Sequence, residues 1–198
     1  MALVDEVRAL VAANPLALVV STGRGDALST PLPLVLDKSH KVLHGHFGAG
    51  NPHVSLLRSK PRALAIFQGP SSYVSPSWLA DRSRAPTFFY SFVEFTVEVE
   101  FVDGADERRA SLEHLVDHLE QGHEGAWSLD ELGETYEKLA SGIRPFRAYI
   151  LCMRTMFKLG QQDRVDVVED ALVGLESAGC HQLAALVEAE LALRKAVA

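Results

Sequence analysis

Cysteine is scarce in this chain, and long apolar runs are missing. Cys152 and Cys180 are the only cysteines among 198 residues, and neither belongs to a paired-cysteine metal motif. We expect both to be reduced, packed thiols in a cytoplasmic protein. No apolar run is long enough to span a bilayer, and Asp5, Glu6 and Arg8 interrupt the N-terminal segment where a signal peptide needs uninterrupted apolar residues. The sequence therefore predicts no membrane partner.

Positive charge is also in deficit. The 19 Lys and Arg residues face 26 Asp and Glu residues, which gives a formal net charge of -7. Because nucleic-acid affinity depends on Lys and Arg replacing condensed counterions, this balance argues against a large DNA-binding surface, although a local basic patch stays possible. No helix-turn-helix pattern supports DNA binding either. The hydrophobic content of 47% is ample for the core of a compact globular protein.

Strands separated by tight turns dominate the part of the sequence that lacks helical spacing. Pro31 and Pro33 lack the N–H that a sheet ladder needs, so their strand must lie at an edge or against a ligand. The segment SSYVSPSW is predicted to be a loop. The predicted strands are LALVVST, ALSTPLPLVLD, KVLHGHF, RALAIFQGP, FFYSFVEFTVEVEFVD and FRAYILCMRTMFKLG.

Helical spacing appears at the start, in the middle and at the end of the chain. Ser128 and Glu131 form a capping box before one of these helices. The combination predicts a mainly β, α+β fold, in which helices decorate a closed or nearly closed antiparallel barrel. We expect a barrel domain over residues 1–162, with a helical insertion at about 105–142, and a C-terminal helical extension over 163–198.

Four motifs carry a resemblance to a known family. They are GHFGAGNP at 45–52, FQGPSSYVSPSWL at 67–79, APTFFY at 85–90 and KLGQQ at 158–162. In these motifs the chain resembles the PaiB family of FMN-binding negative transcriptional regulators, within the FMN-binding split β-barrel superfamily. The likeness covers most of the chain. Five positions depart from the family pattern and remove polar, charged or aromatic groups: Ala49, Leu79, Phe88, Phe89 and Gly160.

The resemblance implies an FMN site whose phosphate lies near the turn after the third long strand. Glycines let the backbone approach a phosphate closely, and the N-terminus of the next helix adds its positive dipole end. His46 either donates to the phosphate or bonds to local carbonyls; its neighbours His44 and His53 are expected at the surface. The site residues predicted for this part are Thr30, Leu32, His46, Phe47, Gly48 and Asn51.

Four more candidates come from the other motifs. In split barrels the flavin lies at a dimer interface, so Tyr73 and Trp78 from one subunit can cover the flavin of the other. Lys158 and Gln161 can reach across the same interface. The alternatives are that the aromatic rings pack in a core or dimer contact, and that Lys158 is a solvated strand-end lysine.

These features predict a homodimeric, PaiB-type FMN-binding protein with a regulatory or flavin-dependent redox role, and no side chain identifies itself as catalytic. One alternative is a repressor acting on DNA. Another is a split barrel that has lost FMN and binds a different small molecule. His114 and His118 share a helical face, but the pattern lacks the glutamate of a zinc helix and a third ligand, so a metal site is not expected.

Overall fold

A computed structural model describes residues 2–23 and 25–197 of the chain. Its strands are β1 (Leu16–Gly23), β2 (Asp26–Pro33), β3 (Val35–Leu36), β4 (Val42–Gly48), β5 (Arg62–Val74), β6 (Thr87–Phe101) and β7 (Ile143–Lys158). Its α-helices are α1 (Ala2–Ala13), α2 (Pro52–Ser59), α3 (Ala105–Glu120), α4 (Tyr136–Ser141), α5 (Val165–Ser177) and α6 (His181–Val197). Among the residues so described, no helix is both long and apolar enough to cross a membrane.

The strands form one seven-stranded sheet in the order β2-β1-β5-β6-β7-β4-β3. Strand β2 pairs with β1 in antiparallel register, with Leu18 opposite Pro31 and Leu16 opposite Pro33. Because β2 is the outermost strand, the missing N–H groups of its two prolines cost the ladder little, and the predicted edge position is confirmed. The glycine turn before β2 includes Arg24, which lies outside the described residues.

The sheet curls until β4 approaches β2, as a barrel requires. A Cβ added to Gly45 would lie 3.1 Å from the Pro33 carbonyl oxygen and 3.1 Å from Leu32 Cδ1, and would overlap the Leu34 side chain. Only glycine lets the two strands approach this closely. The predicted α+β fold, with an antiparallel barrel and helical decorations, is confirmed.

The chain divides into two compact units. The first contains Met1–Phe67 and Val93–Arg154. Its core follows from strict alternation along β6, where Val97 and Val99 are buried and Glu98 and Glu100 face solvent, as predicted. Aromatic rings fill the centre of this core, among them Phe67, Phe95 and Phe146.

The second unit contains Gln68–Phe92 and Thr155–Ala198. Helices α5 and α6 bury one face in a cluster that includes Val168, Leu175, Leu183 and Val187, together with Phe89 from β6. The C-terminal helices thus share a unit with residues 68–92. The domain division predicted at residue 162 stays a prediction.

Three local expectations differ from the structure. Strand β5 continues to Val74, so the first half of the predicted SSYVSPSW loop is strand. The capping box of Ser128 and Glu131 is present, but Gly133 adopts φ +50° and breaks the predicted single helix into a 3₁₀ segment and α4. Cys152 is exposed on β7 rather than packed, whereas Cys180 is partly buried; both are free thiols.

Candidate flavin site

The turn between β4 and α2 carries a compact polar network. The Asn51 side chain caps α2 by accepting from the His53 backbone N–H at 2.9 Å, and its Nδ2 donates to Thr30 Oγ1 at 3.3 Å. Thr30 Oγ1 lies 2.9 Å from His53 Nδ1. Two predicted site residues, Thr30 and Asn51, are therefore in contact. The positive end of the α2 dipole faces this turn, but the His53 N–H is already satisfied by Asn51.

His53 and His44 are not at the surface, contrary to expectation. His53 is only 1% exposed, because its ring stacks on Phe47 with centroids 5.1 Å apart, and Phe47 stacks on Phe146 in turn. Burial lowers the pKa of His53, while the Leu28 carbonyl works in the opposite direction. The local sequence carries no signal for this, because Phe146 is distant along the chain. His53 holds Thr30 in place and belongs to the network that sequence reasoning left out.

One ring nitrogen of His46 has no hydrogen-bond partner among the described residues. This atom is Nδ1, and it is buried. Burial lowers the pKa of His46, so the imidazole is neutral at pH 7 and can present one N–H. Close by in sequence, Gly48 and Gly50 face open space, since a Cβ added to either would contact nothing within 4 Å.

Leu32 and Phe47 contribute almost no accessible side-chain surface. Leu32 is 5% exposed and lies toward Gly45, and Phe47 is 1% exposed within its aromatic stack. Their predicted contact with the flavin stays a prediction. The remaining candidate of this group, Gly48, is exposed at the end of β4.

Arg147 is a cation on the strand paired with β4 that sequence reasoning did not single out. It lies on β7 directly opposite His44 of β4. The His44 ring meets His114 edge to face at 4.7 Å between centroids. Burial, the neighbouring His114 and Arg147 together lower the pKa of His44 to about 4, against a smaller opposing effect of Asp37. The signal in the sequence was the alternation of Arg147 with the buried Phe146 and Ala148.

The other four candidates lie in the second unit. Tyr73 is exposed, and its ring meets Phe88 edge to face at 5.7 Å. Trp78 packs on α5 at Gly174, where an added Cβ would overlap the indole. Their predicted contacts with a partner's flavin stay predictions.

Lys158 and Gln161 line a cavity in this second unit. Lys158 Nζ donates to Thr87 Oγ1 at 2.6 Å. The Gln161 side chain accepts from the Leu159 N–H at 2.8 Å and donates to the Phe157 carbonyl at 3.0 Å. Gln161 is thus occupied in shaping the loop after β7, and a role for either residue toward flavin stays a prediction.

Comparison with known proteins decides the family. A family model described as "Putative FMN-binding domain" matches residues 2–151. The chain belongs to this family. It is also 29% identical over 194 residues to the protease synthase and sporulation protein PAI 2 of Bacillus subtilis (strain 168), covering 94% of this chain and 92% of that protein. The predicted resemblance to the PaiB family is confirmed.

Solved structures agree on the fold. The FAD and heme binding protein from Mycobacterium smegmatis aligns with a TM-score of 0.60 at 19% identity, over 78% of this chain and 70% of that one. The flavocytochrome Anf3 from Azotobacter vinelandii aligns with a TM-score of 0.61 at 15% identity, over 78% and 66% of the two chains. These likenesses show the split-barrel fold, and the matched FMN-binding domain supports FMN as the cofactor, as predicted.

The residues at the turn fit a phosphate-bearing ligand. The open space at Gly48 and Gly50 lets an anion approach the backbone closely. The Nδ1 of His46 has no partner among the described residues but is buried, so a ligand contacts it only after the surrounding side chains move. Thr30 contributes a hydroxyl group to this turn, and Asn51 contributes a side-chain amide. Ala49 offers no cation where the family pattern has arginine.

Proposed function

We propose that the protein is a homodimer that binds FMN at the subunit interface and has a regulatory or flavin-dependent redox role in the cytoplasm. The observation that carries the site is the open backbone at Gly48 and Gly50, directly before the N-terminus of α2, in a chain that matches an FMN-binding domain. The two free cysteines, Cys152 and Cys180, suit a reducing compartment. Bound FMN supplies the capacity for electron or hydride transfer, and the protein supplies binding and orientation.

The roles of the chain's own residues follow from their protonation and contacts. Neutral His46, in the tautomer that carries its proton on Nδ1, donates this N–H to a phosphate oxygen. Asn51 keeps α2 capped with its Oδ1, and because the amide is planar its Nδ2 stays directed at Thr30, so the second Nδ2 N–H is the one that can donate to the ligand. Gly48 keeps side-chain bulk away from the phosphate.

The homodimer is supported by apolar surface on β7. Leu151 is 50% exposed and Met153 is 37% exposed on a strand that lies inside the strand order rather than at its end. Strand β4 begins at Val42, which lies opposite Tyr149, and the Ile150 N–H donates to the carbonyl of Lys41 just before β4. Beyond Ile150, β7 has no β4 residue beside it. A second copy that covers this stretch would remove both the apolar surface and the unpaired backbone from water.

A repressor that reads DNA directly is the weaker alternative. The net charge of -7 opposes binding to phosphates, and the family name is the reason to consider it. A salt-dependent mobility shift of a DNA fragment by the purified protein would support this alternative.

The test of the flavin site compares FMN with riboflavin, which lacks the phosphate. We expect stripped protein to bind FMN with a shift of the flavin absorption band. His46→Ala should weaken FMN binding by about 10- to 150-fold, since a hydrogen bond to a charged group is worth roughly 1.5–3 kcal/mol, and should leave riboflavin affinity unchanged. The exposed His123→Ala is the control. Failure to bind FMN, or equal losses for both flavins, would contradict the assignment.

A further inference from the structure

The second unit contains a cavity of about 830 Å³ that is open to solvent on one side. This volume lies within the range of roughly 300–1,000 Å³ that small-molecule sites occupy in proteins. Every residue that lines it belongs to Gln68–Phe92 or to Thr155–Ala198, so the cavity is complete within one unit. It shares no residue with the turn between β4 and α2.

One wall of the cavity is apolar, and polar and charged side chains line the rest. Phe89, Val167 and Ala171 line it and belong to the buried cluster beneath α5 and α6. The loop at Gly160 closes one side, with φ +83° and no room for a Cβ, which would lie 3.0 Å from Phe89 Cζ. Arg194 holds this loop by donating to the carbonyls of Gly160 at 2.9 Å and Asp163 at 2.7 Å. The cavity is therefore a preformed space whose shape the packing fixes.

The positive charges that line the cavity outnumber the negative ones. Arg84 is paired with Asp163, so these two charges offset each other. The Lys158 ammonium has the Thr87 hydroxyl at 2.6 Å but no carboxylate within 4.0 Å among the described residues. The lining therefore carries one uncompensated positive charge in a chain whose net charge is -7. A cavity of this sign attracts an anion.

We propose that this cavity binds a small organic acid. Its apolar body packs against Phe89 and Phe157, and its carboxylate accepts from Lys158 and the Thr87 hydroxyl. This assignment needs no flavin, and it gives Lys158 a role different from the flavin contact that the sequence predicts. The two roles differ in one measurable way, because a ligand of the cavity is not displaced by FMN.

Calorimetric titration of the full-length protein with benzoate, octanoate and 1-naphthoate tests the proposal. We expect at least one acid to bind with one site per chain. The uncharged 1-naphthalenemethanol, matched to 1-naphthoate in shape, should bind at least about tenfold more weakly, as the loss of a charged hydrogen bond predicts. Saturating FMN should leave the affinity for the acid unchanged.

Two substitutions test separately the positive charge of Lys158 and the volume of the cavity. Lys158→Met should lower the affinity for the acid about tenfold and leave the affinity for the alcohol unchanged. Lys138→Met, which removes an exposed lysine on α4, is the matched control. Ala85→Trp fills the cavity from an exposed lining position and should abolish binding of both probes without unfolding the protein.

The outcomes that would overturn the proposal are distinct. Equal affinity for acid and alcohol would show that Lys158 recognises no anion there. Binding that survives Ala85→Trp would place the probes elsewhere, and no binding by any of the three acids would leave the cavity without this function. Competition by FMN would assign the cavity to the flavin, in which case the organic-acid site fails while the flavin-binding proposal stands.

Discussion

At the scale of single residues, His44 links stability to pH. Its pKa is about 4 in the folded protein, mainly because burial disfavours the charged ring, against 6.5 for an ordinary histidine. Between these values the unfolded chain holds a proton that the folded chain does not. The free energy of unfolding should therefore fall as the pH drops from about 6.5 toward 4, and should not change through His44 above that window.

Urea denaturation at pH 7.5 and pH 5.0 measures this effect. Because Asn does not titrate, His44→Asn should lose less stability between the two pH values than the unmodified protein does. His40→Asn is the control, since His40 is exposed four residues away. His46, His53 and His118 also have lowered pKa values, so part of the slope will remain. An unchanged slope in His44→Asn would contradict the burial argument.

The sequence singled out two residues that the structure brings into contact, but it did not indicate what surrounds them. Thr30 and Asn51 were predicted as site residues from different segments, and they are in contact because β2 and α2 meet. Nothing near His53 in the sequence indicates that its ring stacks on Phe47. Burial of a polar residue depends on partners from distant strands, and a single sequence does not record those pairings.

At the scale of elements, the alternation of apolar and polar residues predicted nearly every strand. It succeeded on β6, where buried residues alternate with more exposed residues along the strand. It failed beyond Pro70, where the Gly-Pro-Ser-Ser composition indicates a loop although β5 continues to Val74. Pairing with neighbouring strands overrode the local preference there. In the helical insertion, Gly133 ended a helix that the apolar spacing alone would have continued.

Helix α5 offers a sharp test of how Trp78 is used. In an open helix, Gly174→Ala would stabilise the protein by up to about 1 kcal/mol, because alanine has the higher helix propensity. Here the added Cβ would overlap the Trp78 indole, with Cγ at 2.7 Å. We therefore expect Gly174→Ala to lower the free energy of unfolding by about 1–3 kcal/mol, as overpacking does.

Urea denaturation measures the change, and tryptophan fluorescence reports displacement of the indole. Val173→Ala is the neighbouring control, because Val173 is 67% exposed on the same helix and should alter stability little. A stabilised Gly174→Ala variant would show that Trp78 can leave α5 at no cost, which would favour its predicted role as a flavin cover over a packing role.

At the scale of the whole molecule, the family, the charge and the exposed surface point in one direction. The net charge of -7 opposes binding to nucleic acid, and the exposed Leu151 and Met153 on β7 support the homodimer proposed above. Flavin sites that two subunits complete would then couple cofactor binding to dimerisation. In a protein of this kind, added FMN should shift a monomer–dimer equilibrium toward the dimer.

The exposed residues Leu151 and Met153 provide the test of that association. Placing charge on apolar surface that a partner covers costs several kcal/mol per buried ion, so the double substitution L151E/M153E should convert dimer to monomer at micromolar concentration. Light scattering after size-exclusion chromatography measures the mass. The control is Leu139→Glu, since Leu139 is 55% exposed on α4. If the unmodified protein is monomeric with and without FMN, a flavin site shared between subunits is ruled out. If instead the double variant is monomeric and also loses FMN, the cofactor lies at the β7 contact.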